Sequence, residues 1–281
     1  MSNIAVLTSG GDSPGMNAAV MSVARNAASY GMNLIGIKRG YNGLLGRSKD
    51  PANDYTTLDL DTVLDIADLP GTWLRTARCR EFLDPAIREK AKETVRFQLK
   101  AAKLLGVDAI LVVPGCVNAR FIEGCAEMSY DVVYDRALEA MKELKKDAEE
   151  AGVVIALENV WNKFLLSPLE MRNFIDEVGS DYVKVYFDVG NTQFIGFPEH
   201  WIKILGSRIA RIHMKDFKEA IGNLDGFCEL LQGNVNFPAV MKALREVGYD
   251  SYLTAEINYI PCETDRVVVD TYKAMTEIFT Y

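Results

Sequence analysis

Four apolar runs of this chain end in the same way. Val153-Val154-Ile155-Ala156-Leu157 stops at Glu158, and Tyr182 to Phe187 stops at Asp188. Ile209-Ala210-Arg211-Ile212 stops at His213, and Tyr252-Leu253-Thr254-Ala255 stops at Glu256. Helical patterns of roughly 10–20 residues separate these runs, the spacing of βα units in a parallel sheet. Strands of one parallel sheet finish at one rim, so three carboxylates and one imidazole are expected to share it. An oxygen-rich set with one nitrogen makes an open site for a divalent cation. Taken singly, a strand-end carboxylate more often caps the next helix, and a lone strand histidine is more often hydrogen-bonded in a core. The fourfold recurrence is what points to a site.

The chain before these runs reads differently. Ile4 to Thr8 is a short strand, followed by Ser9-Gly10-Gly11-Asp12-Ser13-Pro14-Gly15 and a small-residue helix from Met16 to about Tyr30. A strand, a glycine loop and a helix can present backbone N–H groups to a phosphate, although glycines also simply make turns. Leu34 to Lys38 is a second strand. Gly40 to Asp54 is a polar, glycine-rich loop or small hairpin, and Asp61 to Asp68 a short helix. After the Pro70-Gly71 break, Thr72 to Thr76 is an extended segment or strand. From Leu83 the pattern becomes regular. Asp84-Pro85 is an N-cap with proline at the first helical position, opening a helix that Gly106 ends. Asp108 to Val113 is an apolar strand, Asp131 to Ala151 a long amphipathic helix stopped by Gly152, and Ser167-Pro168-Leu169-Glu170 a capping box. Phe237 to Val247 and Asp265 to Phe279 are the last helices. Five strands after residue 106, two before residue 40 and the segment at 72–76 make up the eight that a (βα)8 barrel needs.

Composition narrows the classes. With 281 residues, 49% of them hydrophobic, the chain can bury a large core. A net charge of −8 leaves no basic footprint for a nucleic-acid partner. No apolar stretch reaches spanning length and no signal-peptide pattern opens the chain, so no membrane is expected. Five scattered cysteines without a CxxC pair read as reduced thiols, which places the protein in the cytoplasm.

Two resemblances cover the chain. Residues 4–19, Arg39 to Leu44 and Gly71 to Cys79 resemble, in order and spacing, the start of ATP-dependent 6-phosphofructokinases. That resemblance implies a nucleotide-phosphate site lined by Gly10, Gly11, Tyr41, Arg78 and Cys79. It stops near residue 82. The strand at 108–113 then runs into Val113-Pro114-Gly115-Cys116-Val117-Asn118 instead of the kinase family's Gly-Gly-Asp-Gly-Ser loop, and the catalytic aspartate stretch is absent, so kinase chemistry is not expected. From Leu83 to Tyr281 the chain resembles the sugar-phosphate isomerase/epimerase family of xylose-isomerase-like TIM barrels, of the pentulose- and hexulose-phosphate 3-epimerase type. Leu157 to Pro168, Val185 to Asn191, Arg211 to Phe217 and Leu253 to Glu256 carry it. The expected architecture is an α/β, (βα)8 TIM-barrel-like fold. A kinase-like segment, 1–82, would supply the first βα units, and 83–281 the rest, as one combined domain fused near residues 80–85.

By the second resemblance Glu158, Asp188, His213 and Glu256 hold a divalent metal, Mn²⁺, Mg²⁺ or Co²⁺, with Zn²⁺ possible. Glu158 and Glu256 are also the acid/base pair, and Asn191, Lys215, Lys163 and Trp161 lie toward the substrate. The expected reaction is epimerisation or isomerisation of a ketose phosphate, in which a proton leaves a carbon beside a carbonyl and a stabilised enediolate forms. The expected partner is a small sugar phosphate, with pairing into a homodimer as the family commonly does. Lys215 has the competing reading of a surface lysine paired with Asp216, and Trp161 and Phe217 that of core aromatics. DNA-repair endonucleases of a related barrel class need many histidines, and this chain has only His200 and His213. The alternatives are an inactive chimeric scaffold and a remnant nucleotide-phosphate-binding module.

Overall fold

The computed structural model describes residues 3–8, 16–39, 48–67, 73–75, 85–119, 125, 127–257 and 264–281. Gly10, Gly11, Tyr41, Arg78 and Cys79 lie outside them, so the nucleotide-site expectation rests on residues not described. The chain divides into two compact units, 1–84 with 259–264, and 85–258 with 265–281.

In the first unit β1 (Asn3–Leu7) and β2 (Asn33–Ile37) are parallel and joined by α1 (Met16–Ser29). Val20, Ala24 and Ala27, spaced for one helical face, are buried apolar positions of α1. The third strand is not the one expected. β3 (Tyr55–Leu58) pairs antiparallel with β2, giving the order β1-β2-β3. The segment at 72–76 is not a strand where it is described: Trp73 and Leu74 form a turn. Leu74 is buried there and its carbonyl accepts the Arg39 N–H at 2.8 Å. α2 (Leu60–Ala67) follows, its first turn capped by Asp59, whose Oδ1 accepts the Thr62 N–H at 2.7 Å.

The second unit opens with α3 (Pro85–Leu105) and continues β4 (Ala109–Val112), α4 (Tyr130–Ala151), β5 (Val154–Glu158), α5 (Pro168–Val178) and β6 (Val183–Asp188). Then come the short α6 (Val189–Gln193), α7 (Pro198–Leu205), β7 (Ile209–Met214) and a two-residue ribbon, β8 (Asp216–Phe217) with β9 (Phe227–Cys228). α8 (Phe237–Glu246), β10 (Leu253–Ala255) and α9 (Thr264–Ile278) complete it. Two of the expected helix ends are met: Ser167 Oγ accepts the Glu170 N–H at 3.2 Å, and Gly152 closes α4 at φ 68°; Asp84, the expected cap of α3, lies outside the described residues.

Five strands form one parallel sheet in the order β10-β7-β6-β5-β4. Each strand lies beside its predecessor, the winding of a barrel; a doubly wound sheet would reverse direction at a switch point. The sheet is curled. Arg211 of β7 reaches Asp108, just before β4, in an ion pair, although two strands lie between them. In a flat sheet that separation would be roughly 14 Å. The convex face carries the core. Ile155, Leu157, Val183, Val185, Phe187, Ile212 and Met214 are fully buried there in one cluster with Met171, Phe174, Ile202, Leu205 and Val240 of the helices, each side chain worth about 1.5–3 kcal/mol of transfer free energy. Tyr186, Asp188, Arg211 and His213 alternate with these and face the concave side.

Among the described residues Cys116, Cys125 and Cys228 form no disulfide. Among the described residues no helix is long and apolar enough to cross a membrane.

Candidate metal centre

Glu158 closes β5, Asp188 closes β6, His213 lies one residue before the end of β7, and Glu256 follows β10. One ligand atom from each lies within 4.8 Å of every other. Strand register produces this convergence. Asp188 pairs directly with His213, and the Glu256 N–H donates to the Met214 carbonyl at 2.9 Å. Between β6 and β7 the register shifts. Val185 is opposite Ile209, but Tyr186 is opposite Arg211, so Ala210 is an extra residue. Without that bulge Asp188 would face Ile212, whose side chain belongs to the opposite face. With it, the Tyr186 and His213 rings lie 4.2 Å apart and Asp188 reaches the imidazole.

Each donor is held differently. His213 Nδ1 is 2.7 Å from Glu158 Oε1, 3.1 Å from Glu256 Oε2 and 3.9 Å from Asp188 Oδ2. Asp188 is fully buried. Its Oδ1 accepts the Asn191 N–H at 2.7 Å and caps α6, while Oδ2 has no hydrogen-bond partner. The Asp188 backbone is clamped on both sides by Asn159, whose Oδ1 accepts the Asp188 N–H at 2.8 Å and whose Nδ2 donates to its carbonyl at 2.9 Å.

The cluster perturbs its own protonation. Burial, reinforced by Glu256 and Glu158 against the pull of Lys215, holds the Asp188 carboxyl well above the usual range. Burial alone would push His213 down, but its hydrogen bonds to Glu158 and Glu256 lift it to about 9. Burial would raise Glu256, and His213 with Lys215 outweighs it and holds that carboxyl low. A buried carboxylate oxygen without a hydrogen bond, amid a converging set of two further carboxylates and an imidazole, fits a divalent cation.

Of the residues expected toward the substrate, Lys215 lies beside the cluster, its Nζ 2.9 Å from Glu256 Oε1. Asp216, its expected partner, is taken by the backbone: its carboxylate accepts the N–H groups of Phe217, Val235 and Gly233. Trp161 donates its indole N–H to the Asn191 carbonyl at 2.9 Å and packs against Phe194, Phe217 and Phe227 with centroids 5.1–6.0 Å apart. The Asn191 side chain donates to the Asn159 carbonyl at 2.9 Å, inside the same clamp. Lys163 is exposed on the loop between β5 and α5, with φ 58°. Asn159 was not singled out in the sequence. Its signal, an amide directly after the Glu158 strand end, reads equally as an ordinary cap.

A family model described as the xylose isomerase-like TIM barrel matches residues 24–277. The chain belongs to this family. As a xylose isomerase-like barrel it is similar in fold to a D-psicose 3-epimerase from Clostridium cellulolyticum H10, solved with D-tagatose. That likeness has 19% identity and a TM-score of 0.59, over 70% of this chain and 72% of that one. It is similar to the IOLI protein, solved with a zinc atom, at 19% identity and a TM-score of 0.60, over 69% of this chain and 71% of that one. Outside the family, an ATP-dependent 6-phosphofructokinase of Clostridium acetobutylicum is 44% identical over 115 residues, 41% of this chain and 32% of the kinase. The chain thus spans about a third of the length of the curated relatives it matches, over a stretch longer than the motifs at its start.

Proposed function

We propose that this protein is a divalent-metal-dependent epimerase or isomerase acting on a ketose, with ketose phosphates as the substrate class. The observation that carries the reading is the convergence of Glu158, Asp188, His213 and Glu256 within 4.8 Å, with one Asp188 oxygen buried and without a hydrogen bond. The fold neighbours support it, one solved with a ketose and another with zinc. Bound by these four residues, a Mn²⁺, Mg²⁺, Co²⁺ or Zn²⁺ ion would supply Lewis-acid stabilisation of negative charge developing on substrate oxygens.

The protein's own groups account for the proton transfers. In the sheet order β10-β7-β6-β5, Glu256 and Glu158 flank Asp188 and His213. They therefore approach a ketose from two sides. One carboxylate removes the proton beside the carbonyl and the other returns one to the opposite face, which inverts that carbon; return to the former carbonyl carbon, with the adjacent hydroxyl's proton passing to the former carbonyl oxygen, yields the isomer. Lys215, Lys163, Asn191 and Trp161 are the substrate-side residues of this reading, and the aromatic wall of Trp161, Phe217 and Phe227 keeps water from that side.

Two measurements test it. Metal analysis is expected to find one divalent ion per chain in the wild type and none in Asp188→Ala. Solvent deuterium is expected to enter C3 or C1 of a ketose phosphate when Mn²⁺ is present. D-tagatose carries no phosphate, so the panel includes free ketoses. Exchange into free ketoses alone would overturn the phosphate assignment. No exchange with any member, despite bound metal, would leave an inactive scaffold.

A further inference from the structure

Lys215 is built into the metal centre more firmly than a substrate-contacting lysine requires. Its Nζ lies 2.9 Å from Glu256 Oε1, 3.8 Å from Asp188 Oδ2 and 4.3 Å from the centroid of the Phe227 ring. The ring presents its electron-rich face to the ammonium. Only 13% of the side chain is exposed. Room for its stem exists because residue 190 is glycine: a Cβ there would come within 2.8–2.9 Å of the Lys215 Cβ, Cγ and carbonyl carbon. The first turn of α6, directly after Asp188, is therefore shaped to admit this lysine.

The two oxygens of Glu256 divide their contacts. Oε1 meets Lys215, while Oε2 faces His213 and the other donors. Lys215 thus stands beside the cage, takes Glu256 Oε1 as its hydrogen-bond acceptor, and lies farther, at 3.8 Å, from Asp188 Oδ2. Three carboxylates with a neutral imidazole carry three negative charges, and the ammonium reduces the local sum to two, the charge that one divalent ion balances. An ammonium a few ångströms from a bound cation repels it, and the repulsion grows with the cation's charge.

Building on the metal-centre reading, we infer that Lys215 is the charge-matching residue of that centre. Its fixed positive charge loosens cation binding and sets the preference for divalent over trivalent ions. The test is calorimetric titration of the full-length wild type, Lys215→Gln and Lys215→Met with Mn²⁺ and with Tb³⁺ at one pH. Gln keeps a hydrogen-bond donor for Glu256 Oε1 without the charge, and Met removes both. Both variants are expected to bind Mn²⁺ about tenfold more tightly than wild type, with a larger gain for Tb³⁺. Thermal unfolding guards against misfolding. In EDTA both variants are expected to melt below wild type, because Asp188 and Glu256 lose their cation, and to gain more in Tm when Mn²⁺ is added. A wild type that binds no Mn²⁺ sinks the metal-centre reading itself. A wild type that binds Mn²⁺, beside a Lys215→Gln that binds it no tighter or gains no more in Tm, overturns the role of Lys215 and leaves the centre standing.

Discussion

At the scale of single residues, the four donors were legible because each ends an apolar run, and a strand tip is a place a sequence can mark. What orders them was not legible, because it depends on which tips become neighbours. Asn159 is the clearest case. It is 6% exposed and holds the Asp188 backbone from both sides, so it sets where the buried carboxylate stands without touching a cation itself. Residues that fix a ligand from behind typically change metal affinity 10–100-fold when removed. Asn159→Ala leaves the Asp188 N–H and carbonyl without their partner, a loss of about 2 kcal/mol in stability. Mn²⁺ titration is expected to show binding weakened by about tenfold, and urea unfolding the stability loss. Full affinity in a destabilised variant would mean that Asp188 is held by its helix cap alone. Lys215 shows the same limit of sequence reading. Its neighbour Asp216 offered a plausible partner one position away, but strand alternation turns the two to opposite faces. Asp216 then ties down the turn at Gly233, where an added Cβ would sit 2.2 Å from its Oδ1.

At the scale of elements, existence was easier to read than direction or register. The five strands of the second unit and their helices follow from period and capping residues. β3 does not, since Tyr55–Leu58 is four residues long with one fully buried position, and nothing in such a run states whether it lies parallel or antiparallel to its neighbour. The Ala210 bulge is invisible for a related reason: an extra residue in one strand is defined only by its partner. Links between helices are more readable. Tyr130, at the start of α4, donates its hydroxyl to Glu170 Oε1 at 2.6 Å and accepts the Leu165 N–H at 3.0 Å. Glu170 Oε2 in turn accepts the N–H of Leu166, the residue before the capping box, at 2.9 Å. Burial, then the hydrogen bond to Glu170, pushes the Tyr130 phenol from 10.0 up to about 12. The native state therefore holds this proton more tightly than the unfolded chain does. Its contribution is fully present below the unfolded value and is lost as pH rises through the folded one. Between pH 10 and about 12 the wild type is expected to lose stability relative to Tyr130→Phe, whose ring carries no proton to lose. Urea unfolding at stepped pH measures it, and parallel stability curves for the two proteins would contradict the linkage.

At the scale of the whole molecule, two resemblances compete for the same residues. The family match begins at residue 24, inside the stretch whose motifs follow the phosphofructokinases. A count of eight strands reconciled them; among the described residues the first unit contributes two parallel strands and one antiparallel. The second unit holds the candidate metal centre. All four donors, Asn159 and Lys215 belong to it, and its core cluster runs from Leu99 to Ile278. Stability of such a unit comes chiefly from that shared burial, so the donors need only the strands and helices that produce it. A chain of residues 85–281 is accordingly expected to unfold cooperatively in urea and to bind Mn²⁺ with the affinity of the full-length protein. If instead the shortened chain folds but loses the ion, the donors need the first 84 residues to hold their positions. If it does not fold, the burial within residues 85–281 is too small to offset the conformational entropy of ordering them.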